Sequence, residues 1–432
     1  MKAMTLENLA KACGGKLVCK EEIPGAEASC VVIDSRRIEA GGVFVATRGE
    51  RVDGHSFIPQ VFEAGALAVV CEKLPEEPYG PCILVEDSFA ALTAIAAFYR
   101  TQLSCRFIGI TGSVGKTSTK EMIAAVLRRR FRVCATEGNH NNEIGVPLTI
   151  LRIREEDECA VVEMGINHFG EMTRLAKLVR PDIAVITNIG ECHLEALGDR
   201  DGVLRAKTEV FDQMDEKGCV VLNGEDDKLQ TIREVHGKAP VFYRLDKDTP
   251  DPACEGMPRH MRLNAQAARS VGRILGMTEE EIAQGLQEVK SMAGRCRIIK
   301  KEKFTLIDDY YNANPTSVKA ALDLLCETAE SGRIAVLGDM FELGEAAERL
   351  HAEVGRYAAE KGVERLLAAG ELSRHMVKGF EEAGGGSSRW YWDTASLLEG
   401  IEEEETAGST LLVKASHGMH FEKIVEVLEN GI

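Results

Sequence analysis

At 432 residues the chain is too long for one ordinary core, and its length suggests about three domains. Hydrophobic residues at 44% and charged residues at 28% describe a soluble globular protein. The formal net charge of −17, with no basic run beyond Arg128-Arg129-Arg130, argues against nucleic acid as a bulk partner but leaves room for a local basic pocket.

From the N-terminus, residues 1–84 mix short strand candidates at 30–34, 42–46 and 66–70 with helical stretches. A helix expected over 88–101, within a linker at 85–103, leads to the most informative segment. There an apolar run at 105–110 ends in Thr111-Gly112-Ser113-Val114-Gly115-Lys116-Thr117-Ser118 and continues into helix-forming residues 120–127. A strand, a glycine-bearing turn and a helix beginning at Lys-Thr form a cradle for nucleotide phosphates. Gly112 and Gly115 let backbone N–H groups close on phosphate oxygens, and the helix N-terminus adds partial positive charge. Lys116 can reach the β- and γ-phosphates, and the Thr117 hydroxyl can join a magnesium shell. The segment predicts a nucleoside triphosphate site.

Residues 104–293 then alternate helices with strand candidates at 160–163, 183–187 and 219–223, the pattern of a parallel sheet covered on both faces. A second alternation begins near Ile298, with strands expected at 304–308, 333–337 and 410–414, and occupies 294–432. The tracts 384–388 and 402–405 read as loop or solvated helix surface. The 13 cysteines contain no C-x-x-C pair, and several sit in apolar runs such as Cys82-Ile83-Leu84. They read as thiols of a reducing cytoplasm, without a disulfide framework or zinc site. No segment reads as a signal peptide and no apolar run reaches membrane-spanning length, so a cytoplasmic protein without membrane insertion is expected.

Glu163 and His193 fall just past strand candidates, where open parallel sheets bind ligands. A glutamate beside a phosphate loop can hold the magnesium that bridges phosphates. Taken singly, Glu163 would serve equally as a solvated loop residue and His193 as a hydrogen-bonded structural one.

Blocks distributed over nearly the whole chain resemble the ATP-dependent Mur ligases of peptidoglycan synthesis. They include Asp34-Ser35-Arg36, the stretch from Arg48 to His55, Gly138-Asn139-His140-Asn141-Asn142, Glu163-Met164-Gly165 and Asn188-Ile189-Gly190-Glu191-Cys192-His193. Ala206-Lys207-Thr208-Glu209, Gly294-Arg295, Asn312-Ala313-Asn314-Pro315 and Leu337-Gly338-Asp339-Met340-Phe341-Glu342-Leu343-Gly344 complete the set. The resemblance implies three α/β domains: a central parallel-sheet phosphate-loop ATPase, an N-terminal domain for the UDP moiety, and a C-terminal Rossmann-like domain. The last blocks are similar to those of the member that adds D-alanyl-D-alanine to the UDP-linked muramoyl tripeptide through an acyl phosphate. A member adding a single amino acid and a catalytically weak nucleotide-binding paralogue stay as alternatives.

The resemblance also implies residue roles. Lys116, Thr117 and Glu163 would serve the γ-phosphate and a first magnesium, and His193 a second. Lys207 would be carbamylated and become an anionic metal ligand, although alone it reads as an ordinary helix-surface lysine. Arg295 would meet phosphate, Asp309 ribose, and Asn264 adenine, with Asn312 also at the nucleotide; Asn312 and Asn314 alone read as turn formers. Ser35, Arg36 and His55 are the UDP-side candidates, with a surface-paired turn as the alternative for 34–36. Asn142 belongs to the substrate set, and Lys414 would face the dipeptide unless it is a strand-end surface lysine. The expected protein is a monomer. Three departures stand out: Met261 where the family has asparagine, Lys414-Ala415-Ser416-His417 for Lys-Gly-Ser-Arg, and Cys192 for alanine.

Overall fold

The computed structural model describes residues 1–19, 25–49, 52–77, 79–246, 252–289, 293–329, 332–401 and 408–430. The tract 402–405 lies outside the described residues. Three sheets follow one another along the chain, one in each of three α/β domains. The first holds β1 (Lys16–Val18), β2 (Val31–Val32), β3 (Val43–Val45), β4 (Ala68–Cys71) and β5 (Cys82–Leu84) in the order β1-β5-β4-β3-β2, with only β1 antiparallel to its neighbour.

The second sheet comprises β6 (Arg106–Thr111), β7 (Val133–Ala135), β8 (Cys159–Glu163), β9 (Ile183–Ile186), β10 (Cys219–Asn223) and β11 (Val241–Tyr243). Its order is β11-β10-β9-β6-β8-β7, and every pairing is parallel. Both faces are buried, which is why these strands read as continuous apolar runs. Along β8, Ala160 and Val162 enter one core while Cys159 and Val161 enter the other; β9 alternates in the same way. Strand order reverses on either side of β6, so the phosphate loop leaves β6 at the switch point, with β8 and β9 delivering Glu163 and the segment to His193 beside it.

The third sheet contains β12 (Arg297–Lys300), β13 (Thr305–Asp308), β14 (Arg333–Gly338), β15 (Arg365–Ala369), β16 (Ser387–Tyr391) and β17 (Thr410–Lys414), ordered β12-β13-β17-β14-β15-β16. Only β12 is antiparallel. The last strand thus returns to the middle, pairing Asp308 with Val413 on one side and Leu337 with Lys414 on the other.

The helix Ser88–Arg100 starts on an Asp87 cap and does more than connect. Ala91, Leu92, Ile95, Ala96 and Tyr99 are buried in a core shared by the first domain and one face of the central sheet. The Tyr99 hydroxyl donates to Ile153 O at 2.7 Å, and the Arg100 guanidinium lies 3.6 Å from the Phe107 ring centre. Residues 384–388 differ from the loop-or-helix expectation, because Ser387 and Ser388 open β16. A Cβ on Gly386 would sit 2.1 Å from Glu364 O, so the glycine marks close backbone passage, not flexibility. No helix among the described residues is long and apolar enough to cross a membrane.

Candidate active site

The loop between β6 and the helix Lys116–Arg128 is shaped by its glycines. Gly112 has φ 146°, and a Cβ there would fall 1.9 Å from Thr187 Oγ1 on the segment leaving β9. Gly115, at φ 81°, forms the left-handed N-cap of the helix. Ser113 Oγ is a hub: it accepts from Gly190 N at 2.9 Å and from the Cys192 thiol at 3.1 Å, and donates to Gly190 O at 3.3 Å. Val114 N donates to Asn188 Oδ1 at 2.9 Å. The loop is therefore fixed by the 187–192 segment before any ligand arrives. Lys116 Nζ donates to Gly112 O at 2.8 Å. Burial pushes its pKa down, opposed by Glu163.

Glu163 ends β8 and is 1% exposed. Its Oε1 accepts from Thr117 Oγ1 at 3.2 Å and Asn141 Nδ2 at 2.7 Å, whereas buried Oε2 has no hydrogen-bond partner. A desolvated carboxylate oxygen left in this way is costly unless a cation meets it. With the Thr117 hydroxyl beside it, the donor set is hard oxygen, the chemistry of magnesium. Among the described residues no group of three or more His, Cys, Asp or Glu forms a ready cage for a metal, so phosphate oxygens would have to complete such a shell.

His193 has φ 52° and precedes the short helix Leu194–Leu197; its Nδ1 donates to Glu342 Oε2 of the third domain. Lys207, near the end of the helix Arg200–Thr208, is 1% exposed and has no hydrogen-bond or ion-pair partner among the described residues. This corrects the surface-lysine alternative. Burial, with Lys116 adding to it and Cys192 opposing, pushes the Lys207 pKa down to about 8.

The third domain supplies the facing rim. The Arg295 guanidinium lies 4.0 Å from the Tyr311 ring centre, and that ring stands 5.4 Å from His417. The His417 departure is thereby absorbed into an aromatic stack. Lys414 departs from the surface-lysine alternative: it is 3% exposed and lines the cleft, and its Nζ donates to Asp309 Oδ2 at 2.6 Å and Asn312 O at 2.8 Å. The return of β17 next to β13 causes this. Asp309 Oδ1 also accepts from Cys296 N at 3.1 Å, so the expected ribose partner is already ion-paired. Asn312 Oδ1 accepts from Ala313 N at 2.9 Å. Asn314 caps the helix Pro315–Thr328 through a reciprocal bond pair with Ser317, which puts it on the structural side of the two readings.

A cleft of about 1600 Å³ joins these parts. It brings together Ser113, Gly115, Lys116, Thr117, Ser118, Asn142, Glu163, His193, Asn264, Arg295, Asp309, Asn312 and Lys414. Its wall continues along Phe89, Ala90, Thr93, Ala94 and Ala97 of the helix Ser88–Arg100. Gly112 and Lys207 lie behind the surface, and Ser35, Arg36 and His55 lie outside it. Asn142 has a second duty, its Oδ1 accepting from Gly145 N at 2.9 Å at the start of the helix Gly145–Arg152.

In the first domain Arg36 makes a two-pronged pair with Asp34 at 2.9 and 2.8 Å, holding the Asp34 carboxyl down at about 2. This is the surface-paired turn, with Ser35 opening it. Both His55 ring nitrogens are engaged: Nδ1 donates to Asp53 Oδ1 at 2.7 Å and Nε2 accepts from Glu72 N at 2.9 Å. Its nitrogens are therefore not open to a ligand.

Among the cleft residues given no role from the sequence is His260. It opens the helix Arg259–Ile274, lies one turn from Asn264 on the same face, and has a buried Nε2 without a partner. Burial pushes its pKa down, so the ring is neutral. Met261 lies off the cleft surface and packs against the core, its sulfur 4.0 Å from Asn264 Nδ2. Helical spacing back from Asn264 was the available signal.

Three family models match the chain: the Mur ligase family catalytic domain over 27–100, the Mur ligase middle domain over 110–260, and the Mur ligase glutamate ligase domain over 294–417. UDP-N-acetylmuramoyl-tripeptide–D-alanyl-D-alanine ligase from Bacillus subtilis is 38% identical over 427 residues, covering 92% of each chain. A crystal structure of MurF from Acinetobacter baumannii superposes with a TM-score of 0.86 at 32% identity, covering 99% of both chains. The MurF ligase of Thermotoga maritima in complex with ADP gives 0.76 at 27% identity, over 93% of this chain and 97% of that one.

Proposed function

The chain belongs to the Mur ligase family, and from that premise we infer that it joins D-alanyl-D-alanine to the UDP-N-acetylmuramoyl-tripeptide, converting ATP to ADP and phosphate. The carrying observation is the match across all three domains to ligases of that activity. The reaction serves peptidoglycan precursor synthesis, and a cytoplasmic enzyme is the reading that goes with that role.

A carboxylate resists attack because resonance and charge both repel a nucleophile. Phosphorylation by ATP supplies a leaving group: the carboxylate oxygen bonds to the γ-phosphorus as the bond to ADP breaks. The dipeptide amine then attacks the acyl carbon, loses a proton, and phosphate leaves. The protein's task is to bring two anions together and to keep water from the acyl phosphate. Lys116 and the N-terminus of its helix neutralise the transferring phosphoryl group, and Ser113, Gly115 and Ser118 position the phosphates. Thr117 and Glu163 would hold one magnesium, and His193 with a carbamylated Lys207 a second; bound magnesium neutralises charge between the reacting anions. The unpartnered Glu163 Oε2 supports the first assignment, and the lowered pKa of the largely buried Lys207 supports the second.

Arg295 completes the phosphate contacts from across the cleft, while Asn264, Asp309 and Asn312 hold the nucleoside. His260 adds a ring nitrogen there, one turn or about 6 Å along the helix axis from Asn264. Lys414 acts by holding Asp309, and Asn142 faces the acceptor. Ser35 and Arg36, with the edge of the His55 turn, stand on the side of the UDP group. The division at 1–84, 85–103, 104–293 and 294–432 is supported by the confinement of each sheet to one interval.

Phosphate release tests the reading. With ATP and UDP-linked tripeptide present, release is expected to depend on D-alanyl-D-alanine and to stay at background with single amino acids. Release indifferent to the dipeptide sinks this reading.

A further inference from the structure

The block 337–344 has no chemical role in the scheme above. Asp339 serves structure, its Oδ1 accepting from Ser373 N at 2.7 Å at the start of the helix Ser373–Glu382. Glu342 is different. It carries φ 62° and faces His193 at φ 52°, so two side-chain-bearing residues in left-handed backbone meet across the domain boundary. Such conformations persist where surrounding structure holds them, and they concentrate at functional sites. Around this pair, Glu342 O accepts from Glu195 N at 3.2 Å, and a Cβ on Gly344 would stand 3.1 Å from Glu195 Cα. The Thr316 hydroxyl meets Glu191 N at 3.4 Å. The third domain is seated on the turn that bears His193.

We propose that Glu342 is a positioning residue that couples seating of the third domain to assembly of the second cation site, a step that rests on reading His193 as a ligand. A carboxylate can only accept, so the bond from His193 assigns the ring proton to Nδ1. In the neutral ring that a cation requires, this leaves Nε2 as the nitrogen with the free lone pair, and the ring orientation is fixed. Withdrawal of the third domain removes Glu342 and frees the ring to turn or change tautomer. By linkage, whatever domain seating adds to cation affinity, cation binding adds to seating. Hydrolysis of the acyl phosphate in an open cleft is thereby avoided, because the second cation is held well only when the cleft is shut.

The test uses the whole protein with a non-hydrolysable ATP analogue and Mn²⁺ as probe, following free Mn²⁺ by electron paramagnetic resonance and compaction by small-angle scattering. Wild type is expected to bind two Mn²⁺ per nucleotide and to contract. E342A is expected to weaken the second site about tenfold, the usual scale for a partner behind a metal ligand, with the first site unchanged and the contraction reduced. E342Q keeps an amide oxygen that accepts from Nδ1–H, and is expected to recover part of both. Equal second-site affinity in wild type and E342A overturns the proposal, as does an E342Q no better than E342A. A wild type with only one Mn²⁺ site overturns both this proposal and the reading of His193.

Discussion

The phosphate loop and the rim facing it each present a lysine to the same cleft, built in opposite ways. Lys116 lies four residues from its partner, the Gly112 carbonyl, and among the described residues has no carboxylate within ion-pair distance. Its charge is held ready for a ligand. Lys414 meets Asp309 across 105 residues, through a strand that closes the sheet last, and its charge is already matched. The difference teaches that a buried lysine in a cleft is not a ligand-binding one by location alone. What distinguishes the two is whether the cation has an anion of its own.

Removing each lysine should separate these cases, and the larger effect belongs to the rim. Lys414→Met leaves the buried Asp309 carboxylate without its cation, and loss of one member of such a pair typically costs about 3–5 kcal/mol of stability. Denaturant unfolding measures it, and the double variant with Asp309→Leu should regain most of the loss. A change below about 1 kcal/mol, the scale of a surface pair, would mean that solvent screens the contact. Lys116→Ala should leave unfolding nearly unaltered. Its cost appears in turnover, roughly 3 kcal/mol or more of transition-state stabilisation, which is on the order of a hundredfold in rate. Wild-type turnover in that variant removes Lys116 from the chemistry and collapses the contrast.

The same contrast explains what could be read in advance. The phosphate loop, Glu163 and the parallel central sheet follow from local pattern: apolar runs of strand length, glycines at a turn, an acid at a strand end. The rim depended on sheet order. Nothing at 410–414 in sequence says that β17 lies between β13 and β14, so Lys414 read as a choice between substrate and solvent. The terminal-sheet strands β12, β15 and β16 were not anticipated; β16 mixes exposed and buried positions without a clean alternation, and its approach is a glycine tract. His55 had the composition of a binding residue, but its two engaged nitrogens emerge only when Asp53 and Glu72 are placed around it. Glu342 was missed for a related reason, since it gains its meaning from a contact that no spacing encodes, whereas His260 stands at helical spacing from Asn264 and only its unpartnered nitrogen is invisible in the sequence.

Lys207 sharpens the comparison from a third side, as a buried cleft-side lysine with neither a carbonyl nor a carboxylate partner among the described residues. Its folded pKa of about 8 lies below the ordinary lysine value of 10.5. The sign follows from proton counting. Below pH 8 both folded and unfolded chains hold the proton, so the cost of burying the charge is fully present. Between pH 8 and 10.5 the folded chain sheds it while the unfolded chain keeps it, and stability rises with pH. The full displacement corresponds to on the order of 3 kcal/mol, and relaxation around the amine should leave about 1–2 kcal/mol. Lys207→Met, similar in length and uncharged, should therefore be more stable than wild type by that amount near pH 7 in buffer free of carbon dioxide. The advantage should vanish by pH 10.5, the ordinary lysine value. Turnover should move in the opposite direction, falling in Lys207→Ala and partly restored by short-chain carboxylates that occupy the place of a carbamate, but not by bulky ones. A variant no more stable than wild type at neutral pH would mean that the ammonium has a partner or water after all. Full activity of Lys207→Ala would end the carbamate assignment, and only Lys116 would remain as a lysine whose charge is kept for the reaction.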